Sequence, residues 1–367
     1  MKQRLDGLDF IRAAACLGIL FFHMHISYTG FFAVAVFFAL SGFLMTYNAL
    51  DRPEESAPCL KTSVSFALKR TKKLYGLYLI TLIFPLLEQI YGVASGLGKL
   101  DGQLVLRIVS NVLLLQSLVP DVNTAFFMNG VAWYMSTSLF LYMAFPYIIR
   151  RIRRRSGRRE AWRVIIITFF AQAAGIYLFT SLAKRFVPAD YYSGADVAQW
   201  LAYVSPFSRI ADFIIACNFA YLFKNRSQTT RSAAAATAAE CGALILAFVT
   251  ERLFDLNMLP ATTIYCTAFI PAASLLIWEF ARGEGYISRA MNNAAVRFIS
   301  ALSPYVFLIH PIVIMVLTII ITRLPLSAGV QRLIFLFAVP LFTFSLSVLY
   351  RKFERRKRSL TNSALRS

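Results

Sequence analysis

"LDFIRAAACLGILFFHMHI", Leu8 to Ile26, is a nearly unbroken apolar run that still carries Asp9, Arg12, His23 and His25. Its length suits a helix crossing about 30 Å of hydrocarbon at about 1.5 Å per residue. An ionised side chain in such a segment costs about 2.5 kcal/mol or more unless it is partnered, so each one is a candidate for function. Eleven positions make about three helical turns, which sets Arg12 and His23 on one stripe about 16 Å apart. Asp9, three positions before Arg12, can pair with the guanidinium and orient it.

The rest of the chain repeats this apolar pattern. Hydrophobic residues make up 58% of 367 and charged residues 15%, and the mean hydropathy is +0.61. That composition excludes an ordinary soluble domain. A net charge of +20 would suit a nucleic-acid binder, but the basic residues cluster in short loops between apolar runs. Such clusters report membrane topology, and no nucleic-acid partner is expected. The cysteines, Cys16, Cys59, Cys217, Cys241 and Cys266, have no metal-ligand spacing and read as packing residues. Three histidines and few carboxylates offer no metal cluster. The first run lacks the small-residue cleavage site of a secretory signal.

Eleven apolar segments can be marked, but parity rejects one of them. Basic loops face the cytoplasm, so an even number of crossings must separate "LKRTKK" (68–73) from "RRIRRRSGRR" (150–159). Three segments lie between them. The weakest, "QLVLRIVSNVLLLQSLV" (103–119), carries Arg107 and reads as an interfacial or re-entrant helix on the outer side. The sequence thus predicts an all-α, polytopic integral membrane protein of about ten transmembrane helices with both termini cytoplasmic. The spans fall near 10–28, 31–50, 72–92, 130–149, 164–183, 205–223, 232–250, 259–280, 299–322 and 333–350. One membrane-embedded domain covers 1–367, with 351–367 a basic tail, in the cytoplasmic (inner) membrane.

His23 falls in the outer half of the first span. Imidazole can take a proton from a hydroxyl and return it near neutral pH, which marks His23 as a candidate general base. The competing reading is a histidine bonded to a neighbouring helix. His25, at the end of the span, reads as interfacial.

The opening stretch resembles that of the integral-membrane acyltransferase-3 superfamily, in which an aspartate, then an arginine, ten residues and a histidine recur. "VFFALSGFLM" (36–45) is similar to that family's aromatic-rich helix, and "FALKRTKKLYGLYL" (66–79) to its helix with two basic residues three apart, here Arg70 and Lys73. "NGVAWYMSTSLFLYMAFP" (129–146) resembles the Trp-anchored helix, although Ser138 stands where many members carry glutamate. "SRIADFIIACNFAYL" (208–222) and "ISALSPYVFLIHPIVI" (299–314) match later helices, the second ending in His310 before Pro311.

This resemblance implies transfer of an acyl group, most often acetyl, from a cytoplasmic acyl-coenzyme A to a hydroxyl of an extracytoplasmic glycan or polysaccharide. The expected partners are acyl-CoA, that acceptor and membrane lipid. Acyl-CoA enters as a substrate, and no cofactor is bound permanently. Attack of an alcohol on a thioester needs a base and a donor for the oxyanion. His23, Arg12 and Asp9 are the catalytic candidates. Arg70 and Lys73 would hold coenzyme A phosphates, or else anchor the topology.

Ser41 reads as a close-packing residue or a polar contact to the donor. Trp133 offers a surface for a sugar ring, and Ser136, one turn deeper, would line the cavity. Arg209 either neutralises Asp212 or holds substrate. His310 is structural or orients the base, and Glu240, in "SAAAATAAECGALI" (232–245), stays unassigned. A proton-coupled transporter or flippase is the alternative, because buried Arg, His and acid groups also mark ion relays. A silent membrane scaffold is a third reading.

Overall fold

In the computed structural model, residues 5–27, 29–53, 57–155, 157–186, 194–227, 229–256 and 267–364 are described. They form α1 (Gly7–His23), α2 (Gly30–Ala49), α3 (Leu60–Ala94), α4 (Gly102–Val112), α5 (Val122–Ala125), α6 (Trp133–Arg153) and α7 (Arg158–Phe186). These are followed by α8 (Gly194–Gln199), α9 (Pro206–Lys224), α10 (Ala233–Asp255), α11 (Phe269–Arg282), α12 (Tyr286–Met291), α13 (Ala294–Ile321) and α14 (Ala328–Ala364). No strand occurs among the described residues.

Among the described residues, seven helical segments are long and apolar enough to cross a membrane, and they involve α2, α3, α7, α9, α10, α13 and α14. The chain is therefore an all-helical membrane protein. The other long helices, α1, α6 and α11, pack among these seven. The predicted span 259–280 begins at residues outside those described, as does Cys266.

Burial separates centre from rim. In α2, and in the segment that ends in α9, 72% of the apolar window is buried, against 17% in α14, so α2 and α9 share the centre of the bundle and α14 faces outward. A helix apolar on all sides needs this central place. Gly42 allows α2 to meet α9 closely: a Cβ there would stand 2.9 Å from the Phe213 carbonyl oxygen and 3.1 Å from the Ala216 Cβ. Small residues at such crossings let helix backbones approach. Cys16 and Cys217 are packing residues, but Cys59 and Cys241 are exposed. Cys59 precedes α3 and takes part in its N-terminal cap with Thr62, so the packing reading fails for that pair.

The segment 103–119 does not form one long helix. Asp101 caps α4 by accepting from the Leu104 N–H at 2.8 Å, and the helix stops after 11 residues, too short to span a bilayer. Leu114 and Met128 adopt left-handed φ values of 56° and 62°, which turn the chain back over the bundle. Side chains stitch this cap down. Tyr78 Oη donates to the Asn111 carbonyl at 2.5 Å, and Asn129 Nδ2 donates to Thr81 Oγ1 at 2.9 Å and to the Leu308 carbonyl at 3.0 Å.

Glu240 is fixed at the end of the bundle that carries the basic loops. It is 1% exposed and accepts from the backbone N–H groups of Gly285, Ile287 and Ser288 and from the Ser288 hydroxyl. A carboxylate at the start of α12 satisfies backbone donors that have no partner within the helix. Nearby, Arg282 and Arg231 reach Glu284 at 3.0 Å and 3.4 Å. Burial pulls the Glu284 carboxyl upward, but the hydrogen bonds and charges of the two arginines outweigh it and hold the group below the usual carboxylate range.

Candidate functional site: a histidine pair above a basic cavity

α1 and α13 pack side by side, and their histidines meet. His310 Nδ1 lies 2.9 Å from the Val306 carbonyl, an oxygen that can only accept, so Nδ1 carries the hydrogen. In the neutral ring, His310 Nε2 is then bare. It stands 3.2 Å from His23 Nδ1, which also lies 2.9 Å from the Ile19 carbonyl. Both neighbours require a hydrogen on His23 Nδ1. His23 Nε2 is left with its lone pair, as a general base needs. His310 is fully buried, whereas His23 is only half-buried.

Two cavities lie end to end beneath this pair. The deeper one, about 440 Å³, is lined by Arg12, Ser41, Arg70, Tyr142 and Ser300, with Phe37, Tyr134 and Phe307 among its apolar walls. The second, about 290 Å³, gathers Arg52, Arg70, Arg150 and Arg153 around Asn48 and Thr62. Arg70 and Met45 belong to both walls. Arg153 is tied to the chain, donating to the Ala49, Arg52 and Pro53 carbonyls, whereas a planar guanidinium fork such as those of Arg52, Arg70 and Arg150 suits paired bonds to phosphate oxygens.

Asp9 serves Arg12 as the spacing suggested, with the Arg12 Nη1 to Asp9 Oδ1 distance at 3.9 Å. Ser300 Oγ donates to the same oxygen at 2.6 Å. Arg12 is thereby directed into the deeper cavity from behind. Ser41 donates to Tyr142 Oη at 3.1 Å, and the Arg70 guanidinium lies 5.8 Å from the Tyr142 ring centre and 4.9 Å from that of Phe66.

The other expected site residues sit elsewhere. Lys73 is exposed and lines neither cavity. Trp133 is 3% exposed and packs against Tyr203, ring centres 4.6 Å apart, so it offers no open face to a sugar. Ser136 is fully buried, donating to the Leu114 carbonyl at 2.7 Å and pairing with Ser117 Oγ at 2.7 Å. It fastens the cap and does not line a cavity.

Arg209 is also fully buried, 2.9 Å from Asp212, and its Nε donates to the Tyr203 carbonyl at 2.7 Å. Of the two readings for this arginine, the geometry is that of charge neutralisation inside the fold. Sequence reasoning missed Tyr142 and the arginines Arg52, Arg150 and Arg153. Tyr134 and Tyr142 are eight positions apart on α6, about 2.2 turns, so they lie only roughly on one side of the helix and the spacing gave a weak signal. Among the described residues, no group of three or more His, Cys, Asp or Glu side chains could hold a metal.

Lipid-length helices enclosing an imidazole pair above an arginine-lined cavity define an integral membrane protein with a buried polar site. Residues 5–352 match the family model described as "Acyltransferase domain", and the chain belongs to the acyltransferase-3 family. It is similar to Acyltransferase MdmB of Streptomyces mycarofaciens, with 28% identity over 269 residues, 69% of this chain and 60% of that protein. The chain therefore aligns with less than two thirds of that relative's length. No solved structure matches it.

Proposed function

We propose that this protein is an O-acyltransferase that moves an acyl group, acetyl foremost, from cytoplasmic acyl-coenzyme A to a hydroxyl of an extracytoplasmic glycan or polysaccharide. All ten long helices cross the cytoplasmic (inner) membrane, and both termini face the cytoplasm. The basic loops at one end of the bundle support that orientation. The observation that carries the reading is the pairing of a lone-pair imidazole nitrogen on His23 with an arginine-lined cavity that leads toward it.

In this reading the coenzyme A phosphates rest on Arg52, Arg70 and Arg150, with Arg153 bracing the loop beside them, and the slender arm passes Arg70 into the deeper cavity. His23 Nε2 takes the proton of the acceptor hydroxyl as its oxygen attacks the thioester carbon. The C–O bond forms, the C–S bond breaks, and the proton passes to the departing thiolate. Arg12, steadied by Asp9, lines the deeper cavity about three helical turns from His23 and adds positive charge along the path of the coenzyme A arm. His310 acts as a positioning residue, holding the His23 tautomer.

Inside-out membrane vesicles containing the protein, supplied with labelled acetyl-CoA, test this. Label is expected in the glycan fraction. Arg70→Ala should raise KM for acetyl-CoA about tenfold, the loss of about 1.4 kcal/mol of phosphate binding, with a smaller change in kcat. Passage of a polar substrate without any acylated product would replace this reading with a transporter.

A further inference from the structure

The deeper cavity ends short of the histidines. Phe37 from α2, Tyr134 from α6 and Phe307 from α13 all line it, whereas neither His23 nor His310 does. These three rings touch one another in a closed triangle: Phe37 to Tyr134 is 6.3 Å between centres, Phe37 to Phe307 is 6.3 Å, and Tyr134 to Phe307 is 5.3 Å. Phe307 in turn stands 6.3 Å from the His310 ring, and His310 stands 4.9 Å from His23. The order from the basic mouth is therefore arginines, cavity, ring triangle, imidazoles.

We infer that Phe37, Tyr134 and Phe307 form an aromatic portal whose aperture selects the acyl group. The inference rests on the transferase reading. A thioester carbon must come within bonding reach of an oxygen held at His23, so the acyl end has to pass between these rings. Rings at 5.3 to 6.3 Å centre spacing are in contact, so each must turn aside for a group to pass. A two-carbon acyl group needs a small displacement, whereas a branched or aromatic one needs the rings to part further against packed neighbours. Interiors this dense resist such movement.

The same closure keeps water at the histidine side from reaching the thioester before an acceptor arrives. Water there would give a carboxylic acid and free coenzyme A thiol, with the C–S bond broken and a new C–O bond formed.

Phe37 is the position to vary, because Phe307 borders His310 and Tyr134 packs on Phe38, 4.5 Å between centres. Vesicles carrying the unaltered protein, Phe37→Ala and Phe37→Leu are supplied with acetyl-, isobutanoyl- and benzoyl-CoA. Labelled product and free thiol are measured together. The ratio of kcat/KM for isobutanoyl to that for acetyl should rise at least tenfold in Phe37→Ala and by less in Phe37→Leu. Thiol release should also increasingly exceed acyl product. Phe37→Leu alone carries the test if Phe37→Ala does not fold.

Ratios within twofold of the unaltered protein, with product still matching thiol, would overturn the portal and leave the transferase standing. Failure of the unaltered protein to transfer from any donor would overturn both.

Discussion

His23→Gln lowers acyl transfer by about 10² to 10⁴-fold, the range that a positioned general base contributes, without loss of folded protein. Glutamine keeps a side-chain amide near Ile19 and His310 but supplies no basic nitrogen. His310→Gln separates orientation from chemistry. Its amide N–H can still reach the Val306 carbonyl, and its oxygen can still accept from His23 Nδ1, so this variant should retain far more activity than His23→Gln. His310→Phe, which cannot accept that hydrogen bond, leaves only the Ile19 carbonyl to hold the His23 ring and should fall between the two. Measurements of kcat on labelled acetyl transfer, alongside size-exclusion profiles in detergent, decide the matter. Equal transfer by His23→Gln and the unaltered protein removes His23 as the base.

The second large effect is on stability. Arg209→Ala should destabilise the protein by about 3 to 5 kcal/mol, the cost of leaving a buried charge without its partner. Arg209 and Asp212 are both fully buried, and Gln172 Nε2 adds a bond to Asp212 at 2.7 Å. The arginine also lies 5.3 Å from the Phe38 ring centre and 5.2 Å from that of Tyr203, so its removal strips two aromatic contacts from the bundle axis. Asp212→Asn alone leaves the cation uncompensated and should also destabilise. Arg209→Met with Asp212→Leu removes both charges and should recover much of the loss, because a well-packed apolar pair can replace a buried ion pair. Thermal melts of the purified variants measure this cycle. A melt of Arg209→Ala matching the unaltered protein would show that the pair does not support the fold.

Part of this architecture was legible along the chain. Runs of lipid length announced an all-helical membrane protein, and the polar interruptions of 103–119 marked the segment that forms only a short helix. The Asp9 and Arg12 pairing and the shared face of Arg12 and His23 followed from helical periodicity alone. What periodicity lacks is contact across helices. His23 and His310 are 287 positions apart, and no local pattern brings them together.

Trp133 and Ser136 looked open because they begin a helix where aromatic residues gather at membrane surfaces. The chain from Gly102 to Ala132 folds over them, and Trp200 Nε1 donates to the Ser117 carbonyl at 2.8 Å to hold it there. Lys73 parts from Arg70 for a local reason: three residues fall about 60° short of a full turn, enough to carry the ammonium away from the cavity. The Glu240 cap needed knowledge of where α12 begins, 46 residues further on.

Arg70 belongs to both chambers at once, and this has a consequence for the order of events. In the transferase proposed above, a single cation at the neck would meet the anionic head of an arriving carrier and lie beside the arm that follows it. Spent carrier would then back out along the path by which it came, past the same side chain, before a fresh one could load. Each turnover would be an exchange at one doorway on the basic side, while the acceptor came and went from the other.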